Sequence, residues 1–191
     1  MLDRAIMFAA RAHEGIVRKG SGQPYIFHPL EVLSLVSLMT LDDDILSAAV
    51  LHDTVEDTPA TIEDIRAEFG DRIAFLVGAE TEDKRGQVNK ADTWEERKQE
   101  TIDTIRKTTD IGSKMICLAD KVSNLRSMHL GVLSEGDGFW NHFNQKDPLK
   151  HYWYFNELKD ALIELKDEAV YKEFEFLIKS VFSKYLKEGE E

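Results

Sequence analysis

The sequence predicts an all-α protein built from short to medium helices, and three observations predict it. Apolar residues recur at helical spacing in segment after segment, with almost none of the alternation a half-buried strand requires. Capping residues precede these segments and Gly or Pro follows several of them, which is how helices start and stop. A hydrophobic fraction of 42% with only four prolines fits a helix-rich globular chain that can bury a full core. Across 191 residues there is no sharp compositional shift, internal repeat or low-complexity segment, so residues 1–191 read as a single domain.

The elements follow in order. Residues 2–13 repeat apolar positions at helical spacing, and the Gly-rich basic stretch "EGIVRKGSGQPY" after them is too polar for a core and reads as a loop. A helix opens at "FHPLEVLSLVSLM", where Pro29, just after His28, suits a first helical position. "TLDDDILSAAVLHD" places acidic caps before a solid apolar run, and that helix is expected to stop before Pro59. Thr61 with Asp64 makes a capping-box pair, and Gly70 after Phe69 is the residue type favoured just past a helix end. "DRIAFLVGAE" reads as a buried helix and "TEDKRGQVNKAD" as a polar connection. Thr93 with Glu96 caps a charged amphipathic helix that reaches about residue 108. Residues 112–128, 148–166 and 168–187 complete the set, and the helices from about 148 onward are expected to pack on or close the core.

Charge narrows the function. A net charge of −12 argues against nucleic acid or an anionic membrane as partner, since phosphate-tracking proteins need a basic face. A small anionic substrate still fits if cations are concentrated locally. The single cysteine, Cys117 in "MICLAD", lies among apolar residues and reads as a buried structural thiol. The N-terminal "MLDRAIMFAARAH" mixes charges into its apolar pattern, unlike a signal or transit sequence, and no 18-residue apolar run occurs elsewhere, so the expected location is the cytoplasm. The sequence leaves monomer and homodimer equally open.

The stretch "AAVLHDTVEDTP", residues 48–59, is apolar at its start and crowded with His52, Asp53, Glu56 and Asp57 at its end. On a continuous helix His52 would stack over Glu56 and Asp53 over Asp57. Three acids at a helix C-terminus face the negative end of the macrodipole and favour a cation there. An isolated His-Asp pair more often marks a solvated helix end than a site. Here partners exist: His28 at a helix start, and Asp120 in "MICLADKVSNL" beside the apolar stripe Met115, Leu118, Ala119, Val122 and Leu125. Acids so close to a core are usually paired or bound to metal. Two imidazoles and two carboxylates make a mixed N/O donor set suited to Mn²⁺, Fe or Zn²⁺. On the same helix, Arg126 projects into the apolar sector and is expected to be buried against a carboxylate that braces the helix.

His28, His52-Asp53 and Asp120 resemble the signature of the HD-domain metal-dependent phosphohydrolases. The longer strings "RKGSGQPYIFHP", "VLHDTVEDTPATIEDI", "TEDK" and "LADKVSNL" are similar to the hydrolase half of the RelA/SpoT alarmone enzymes, and above all to the stand-alone small alarmone hydrolases, in order from about residue 2 to residue 165. The resemblance implies an HD-domain bundle of roughly eight to ten helices. It implies that His28, His52, Asp53 and Asp120 hold one divalent ion, Mn²⁺ being usual in the family. Glu56 and Asp57 match the acidic pair that handles the attacking water and its protons. Arg18 and Lys19, Lys84, and Asn124 match residues that contact nucleotide or phosphate, and Tyr154 matches an aromatic of the nucleotide pocket.

The implied activity is removal of the 3′-diphosphate from guanosine tetraphosphate or pentaphosphate, (p)ppGpp, giving GDP or GTP and pyrophosphate. The chain ends in the charged tail "VFSKYLKEGEE", so a monofunctional hydrolase without a synthetase half is expected. Two alternatives stay open beside it. One is an HD phosphohydrolase of another nucleotide, such as a 3′-phosphate of NADPH or a 5′-nucleotide. The other is a non-catalytic nucleotide-sensing module, for which a lost ligand or a lost acidic pair would be the sign; all six positions are filled.

Overall fold

A computed structural model describes residues 1–18, 21–81 and 93–186. Among them the chain forms ten α-helices and three short 3-10 turns, and its extended pairing is limited to one isolated bridge between Val17 and Pro24. The expected all-α class is what is found. The helices are α1 (Leu2–Ala12), α2 (Phe27–Val36), α3 (Asp43–Leu51), α4 (Thr54–Asp57), α5 (Ile62–Phe69), α6 (Asp71–Glu80), α7 (Trp94–Lys107), α8 (Ile111–Glu135), α9 (Pro148–Ala161) and α10 (Ala169–Phe182). None is both long and apolar enough to cross a membrane.

The chain divides into two compact units. The first comprises Met1–Glu82 and Thr108–Asp120, and the second Asp83–Lys107 and Lys121–Glu191, so the long helix α8 runs through both.

In the first unit α3 is the central element. Every residue from Ile45 to Leu51 is buried, the pattern of a helix packed on all sides, and α1, α2 and α6 lie against it. The buried residues of α1, Ala5 and Ala9, are small enough to let two helix axes approach closely. Asp42 starts α3 by accepting from the Asp44 and Ile45 amides at 3.0 and 3.1 Å, as its acidic cap position predicts. The capping box is present: the Thr61 hydroxyl accepts from the Asp64 amide at 3.2 Å, and the Asp64 carboxylate accepts from the Thr61 amide at 2.8 Å. Gly70 then turns the chain into α6 with a φ of 91°, a conformation that glycine takes without strain. Ahead of α8, the Asp110 carboxylate accepts from the Ser113 amide at 2.9 Å and from both ends of the Arg72 guanidinium at 2.5 and 3.2 Å. The start of the helix that carries Asp120 is thereby tied to α6.

The second unit packs α9 against α7 and α10 around an aromatic core. His151 is buried, stacked on Trp140 and edge-on to Trp94, and its Nε2 approaches the Gln145 carbonyl at 2.9 Å. Burial pushes its pKa below the usual imidazole range, so it is a neutral core residue. Cys117, on the part of α8 in the first unit, is fully buried as its neighbours implied.

Several expectations need correcting. Pro29 is the third residue of α2 rather than the first, still within the turn whose amides lack helical partners. α8 runs to Glu135 instead of ending near 128, exposing Leu130 and Leu133 on its last turns. The last two helices end earlier than their periodicity suggests, α9 at Ala161 and α10 at Phe182, each continued by a 3-10 turn. Arg126 does find a carboxylate: its Nε and Nη2 donate to the two oxygens of Glu173 on α10 at 2.6 and 2.8 Å. It is not buried, however. Side-chain exposures of 37% and 34% show the long Arg side chain carrying its charge out to the margin of the packed face.

Candidate active site

His28 sits in the first turn of α2, with its amide donating to the Tyr25 carbonyl at 3.0 Å. His52 follows the last residue of α3, and Asp53 precedes α4. The expected continuous helix to Pro59 is therefore broken between Leu51 and Thr54. The physical reason lies in His52 itself. Its Nδ1 donates to the Ala49 carbonyl at 2.9 Å, competing for the acceptor that the amide of residue 53 would use if the helix continued. The Asp53-Asp57 column survives the break, since the Asp57 amide donates to the Asp53 carbonyl at 2.9 Å and places the two side chains one turn apart.

The break brings four groups together. His28 Nε2 lies 3.3 Å from Asp53 Oδ2 and 3.1 Å from Asp120 Oδ1. His52 Nε2 lies 3.1 and 3.8 Å from the same two oxygens. Ligand atoms of His28, His52 and Asp120 all fall within 4.8 Å of one another, and all three residues are buried. Atoms bound to one divalent ion through bonds of about 2.1 Å stand about 3 to 3.5 Å apart, so these spacings suit a shared cation.

His52 supplies a further test of fit. A carbonyl can only accept, so the bond to Ala49 keeps a ring proton on Nδ1 and leaves Nε2, among carboxylate oxygens, as the nitrogen that holds either a second proton or a metal ion. Among the described residues that buried Nε2 makes no hydrogen bond of acceptable geometry despite their closeness. Burial alone would disfavour an imidazolium here, yet Asp53 and then Asp120 outweigh it and raise the His52 pKa to about 9. The same histidines hold the Asp53 carboxyl well below its ordinary range against the opposing effect of its burial. Two imidazoles and two carboxylates converging on one buried point form a site that requires positive charge, and an N/O donor set fits a divalent ion.

Tyr25 joins this cluster to the acidic pair. Its hydroxyl donates toward Asp53 Oδ2 at 2.7 Å and toward Asp57 Oδ2 at 2.8 Å. Burial first, and then the charges of Asp53 and Asp57, push the phenol far above its usual pKa and keep it protonated. Glu56 is half-buried in α4, while Asp57 is exposed.

The first unit thus contains His28, His52, Asp53, Asp120, Glu56 and Asp57. It also holds Arg18, half-buried in the loop before α2, where its amide donates to the Gln23 carbonyl at 2.8 Å. Asn124 and Tyr154 belong to the second unit. Asn124 stands on α8 four residues after Asp120. Tyr154 is buried, edge-on to Trp94, with Lys98 Nζ 4.9 Å from the centre of its ring. Lys19 and Lys84 lie outside the described residues. Sequence reasoning missed Tyr25 although it stands three residues before His28, and it missed His13, stacked on Tyr25 with ring centres 5.0 Å apart.

The family model described as "HD domain" matches residues 5–143, a span that contains the whole His28, His52, Asp53 and Asp120 cluster. The chain belongs to the HD domain family. Among similar proteins, this HD domain is 36% identical over 184 residues to the bifunctional (p)ppGpp synthase/hydrolase SpoT of Escherichia coli K12, covering 94% of the chain and 26% of that protein. It is 38% identical over 129 residues to a guanosine-3′,5′-bis(diphosphate) 3′-pyrophosphohydrolase of Haemophilus influenzae, covering 64% of the chain and 18% of that protein. The chain spans about a quarter or less of the length of these curated relatives. Among solved structures, a metazoan ortholog of SpoT, described as hydrolysing ppGpp, superposes with a TM-score of 0.74 at 27% identity, covering 96% of this chain and 94% of that one. The protein lmo0812 of Listeria monocytogenes EGD-e gives 0.71 at 34% identity, covering 82% and 99%.

Proposed function

We propose that this HD domain is a divalent-metal-dependent hydrolase that removes the 3′-diphosphate from (p)ppGpp, releasing GDP or GTP and pyrophosphate. The observation that carries the reading is the convergence of His28, His52, Asp53 and Asp120 within ion-pairing distance, with His52 Nε2 turned toward carboxylates. The named activities of the relatives and of the metazoan structure supply the substrate class.

In this reading the four residues hold one metal ion, Mn²⁺ by preference. A bound divalent ion lowers the pKa of coordinated water and offsets charge on phosphate oxygens. The chain's own residues do the rest. Ala49 fixes the His52 tautomer that presents Nε2. Glu56 and Asp57 take a proton from the attacking water as it adds to the phosphorus bonded to O3′, and return one to O3′ as the P–O3′ bond breaks. The resemblance assigns Arg18, Lys19, Lys84 and Asn124 to nucleotide or phosphate and Tyr154 to the nucleotide pocket, the cations among them being what an anionic substrate needs on a protein of net charge −12. The family match covers nearly all of the first unit and runs into the second, which supports one functional domain. A cytoplasmic setting completes the proposal.

The test is direct. Metal-free protein is incubated with guanosine tetraphosphate and Mn²⁺ is then added, with pyrophosphate release followed. Release only after metal is the expected result. Binding of intact nucleotide without turnover overturns it in favour of a sensor, and faster turnover of NADPH or a 5′-nucleotide overturns the substrate assignment.

A further inference from the structure

Tyr25 is held on three sides before its hydroxyl reaches anything. Its amide donates to the Ile16 carbonyl at 2.9 Å, closing the loop between α1 and α2. One face of the ring stacks on His13 at an interplanar angle of 12°, and its edge meets His28 at 82°. His13 is itself fixed: it is buried, its Nδ1 donates to the Ala9 carbonyl at 2.9 Å, and its Nε2 has no hydrogen-bond partner among the described residues. The imidazole therefore acts toward Tyr25 as a flat wall anchored to α1. A phenol so constrained has one direction in which to place its oxygen.

That oxygen carries one proton and faces two carboxylates, Asp53 at 2.7 Å and Asp57 at 2.8 Å, 28 and 32 residues further along the chain. The Asp53 atom it meets, Oδ2, is also the one closest to both His28 and His52. A tyrosine that only filled space would need one acceptor. Two carboxylates near one point repel, and a single donor shared between them fixes the position of each relative to the other.

We infer that Tyr25 is a positioning residue: its hydroxyl couples the water-handling carboxylate of Asp57 to the ligand oxygen of Asp53, with His13 holding the phenol in place. The inference rests on the function proposed above for these two acids. Outer partners of this kind typically change metal affinity by about 10–100-fold when removed.

The test compares wild type, Y25F, D57N and the double variant for Mn²⁺ affinity, read from the electron paramagnetic resonance signal of free ion, and for kcat and KM on guanosine tetraphosphate. Phe keeps the ring against His13, so the fold is retained. Y25F is expected to weaken Mn²⁺ binding on the order of 10-fold and to lower kcat roughly 100-fold, with KM changed by less than about 3-fold. In the D57N background the same change should cost kcat less than about 3-fold, because the hydroxyl acts through Asp57. Wild-type Mn²⁺ affinity in Y25F, or additive losses in the double variant, overturns the inference. Should wild type release no pyrophosphate, the proposed function fails, while the Mn²⁺ affinity of Y25F still decides the role of Tyr25.

Discussion

His52 Nε2 stands 3.1 Å from Asp53 Oδ2, while the Nδ1 of the same ring is committed to the Ala49 carbonyl at 2.9 Å. The cluster accepts positive charge in one of two forms, a proton on His52 or a metal ion in its place. Metal binding must then release that proton. With the metal-free pKa raised to about 9, Mn²⁺ affinity should rise close to tenfold per pH unit from about 6.5 upward and level off above about 9. Affinity that does not change across this range would sink the idea. The sign for the metal-free fold is opposite. A raised imidazole pKa contributes stability that is fully present below the unfolded value of 6.5 and is lost as pH rises through about 9, at most roughly 3 kcal/mol. Urea unfolding of metal-free protein at pH 6.5 and 9.5 checks this.

Asp53 contributes an oxygen that both histidines approach, so removing its charge should cost more than the loss of an outer partner. D53N is expected to weaken Mn²⁺ binding by more than about 100-fold, beyond the 10–100-fold range of residues that merely support ligands. Isothermal titration of wild type and D53N measures the difference, and a loss under tenfold would remove Asp53 from the ligand set.

How much of this could be read from the chain depends on the range of each interaction. The starts of α3 and α5 and the stop of α5 were legible because they are local: Asp42 and Thr61 cap within three residues, and Gly70 has the positive φ its place after Phe69 predicted. The spacing of His28, His52, Asp53 and Asp120 was legible through its resemblance to a known pattern. Three features were not. The helix break after Leu51 depends on a ring nitrogen competing for a backbone carbonyl, which helical periodicity does not represent. The extension of α8 past 128 passes through Gly131 and leaves Leu130 and Leu133 exposed, so its pattern is that of neither a clean amphipathic helix nor a loop. Tyr25 meets Asp53 and Asp57 across 28 and 32 residues, a distance that no i to i+4 rule covers.

The Arg126–Glu173 pair shows what partial exposure does to an ion pair. Its bidentate geometry is good, but both side chains are more than a third open to solvent, so screening limits its worth to about 0.5–1 kcal/mol. R126M, which keeps much of the side chain's apolar length, should lower the thermal midpoint by roughly 1–4 °C and leave kcat unchanged. A drop of more than about 8 °C in differential scanning fluorimetry would mean that the pair anchors α8 far more strongly than its exposure implies.

Asp110 combines two roles that substitution can separate. One carboxylate oxygen caps α8 through the Ser113 amide, and both oxygens receive the Arg72 guanidinium. That guanidinium, and after it the Ser113 amide, hold the Asp110 carboxyl below its ordinary range even though partial burial opposes them. D110N keeps an acceptor for the cap and loses the charge, so it should cost about 0.5–1 kcal/mol, the value of a half-exposed pair. D110A loses the cap as well, adding about 1 kcal/mol. A depressed carboxyl pKa contributes stability that is present above the unfolded value near 3.9 and lost as pH falls through the lower folded value. The difference between wild type and D110N in urea unfolding should therefore hold from pH 7 to 5 and shrink toward pH 3. Equal losses in D110N and D110A would show that the charge, not the cap, holds the start of the helix that delivers Asp120 to the site.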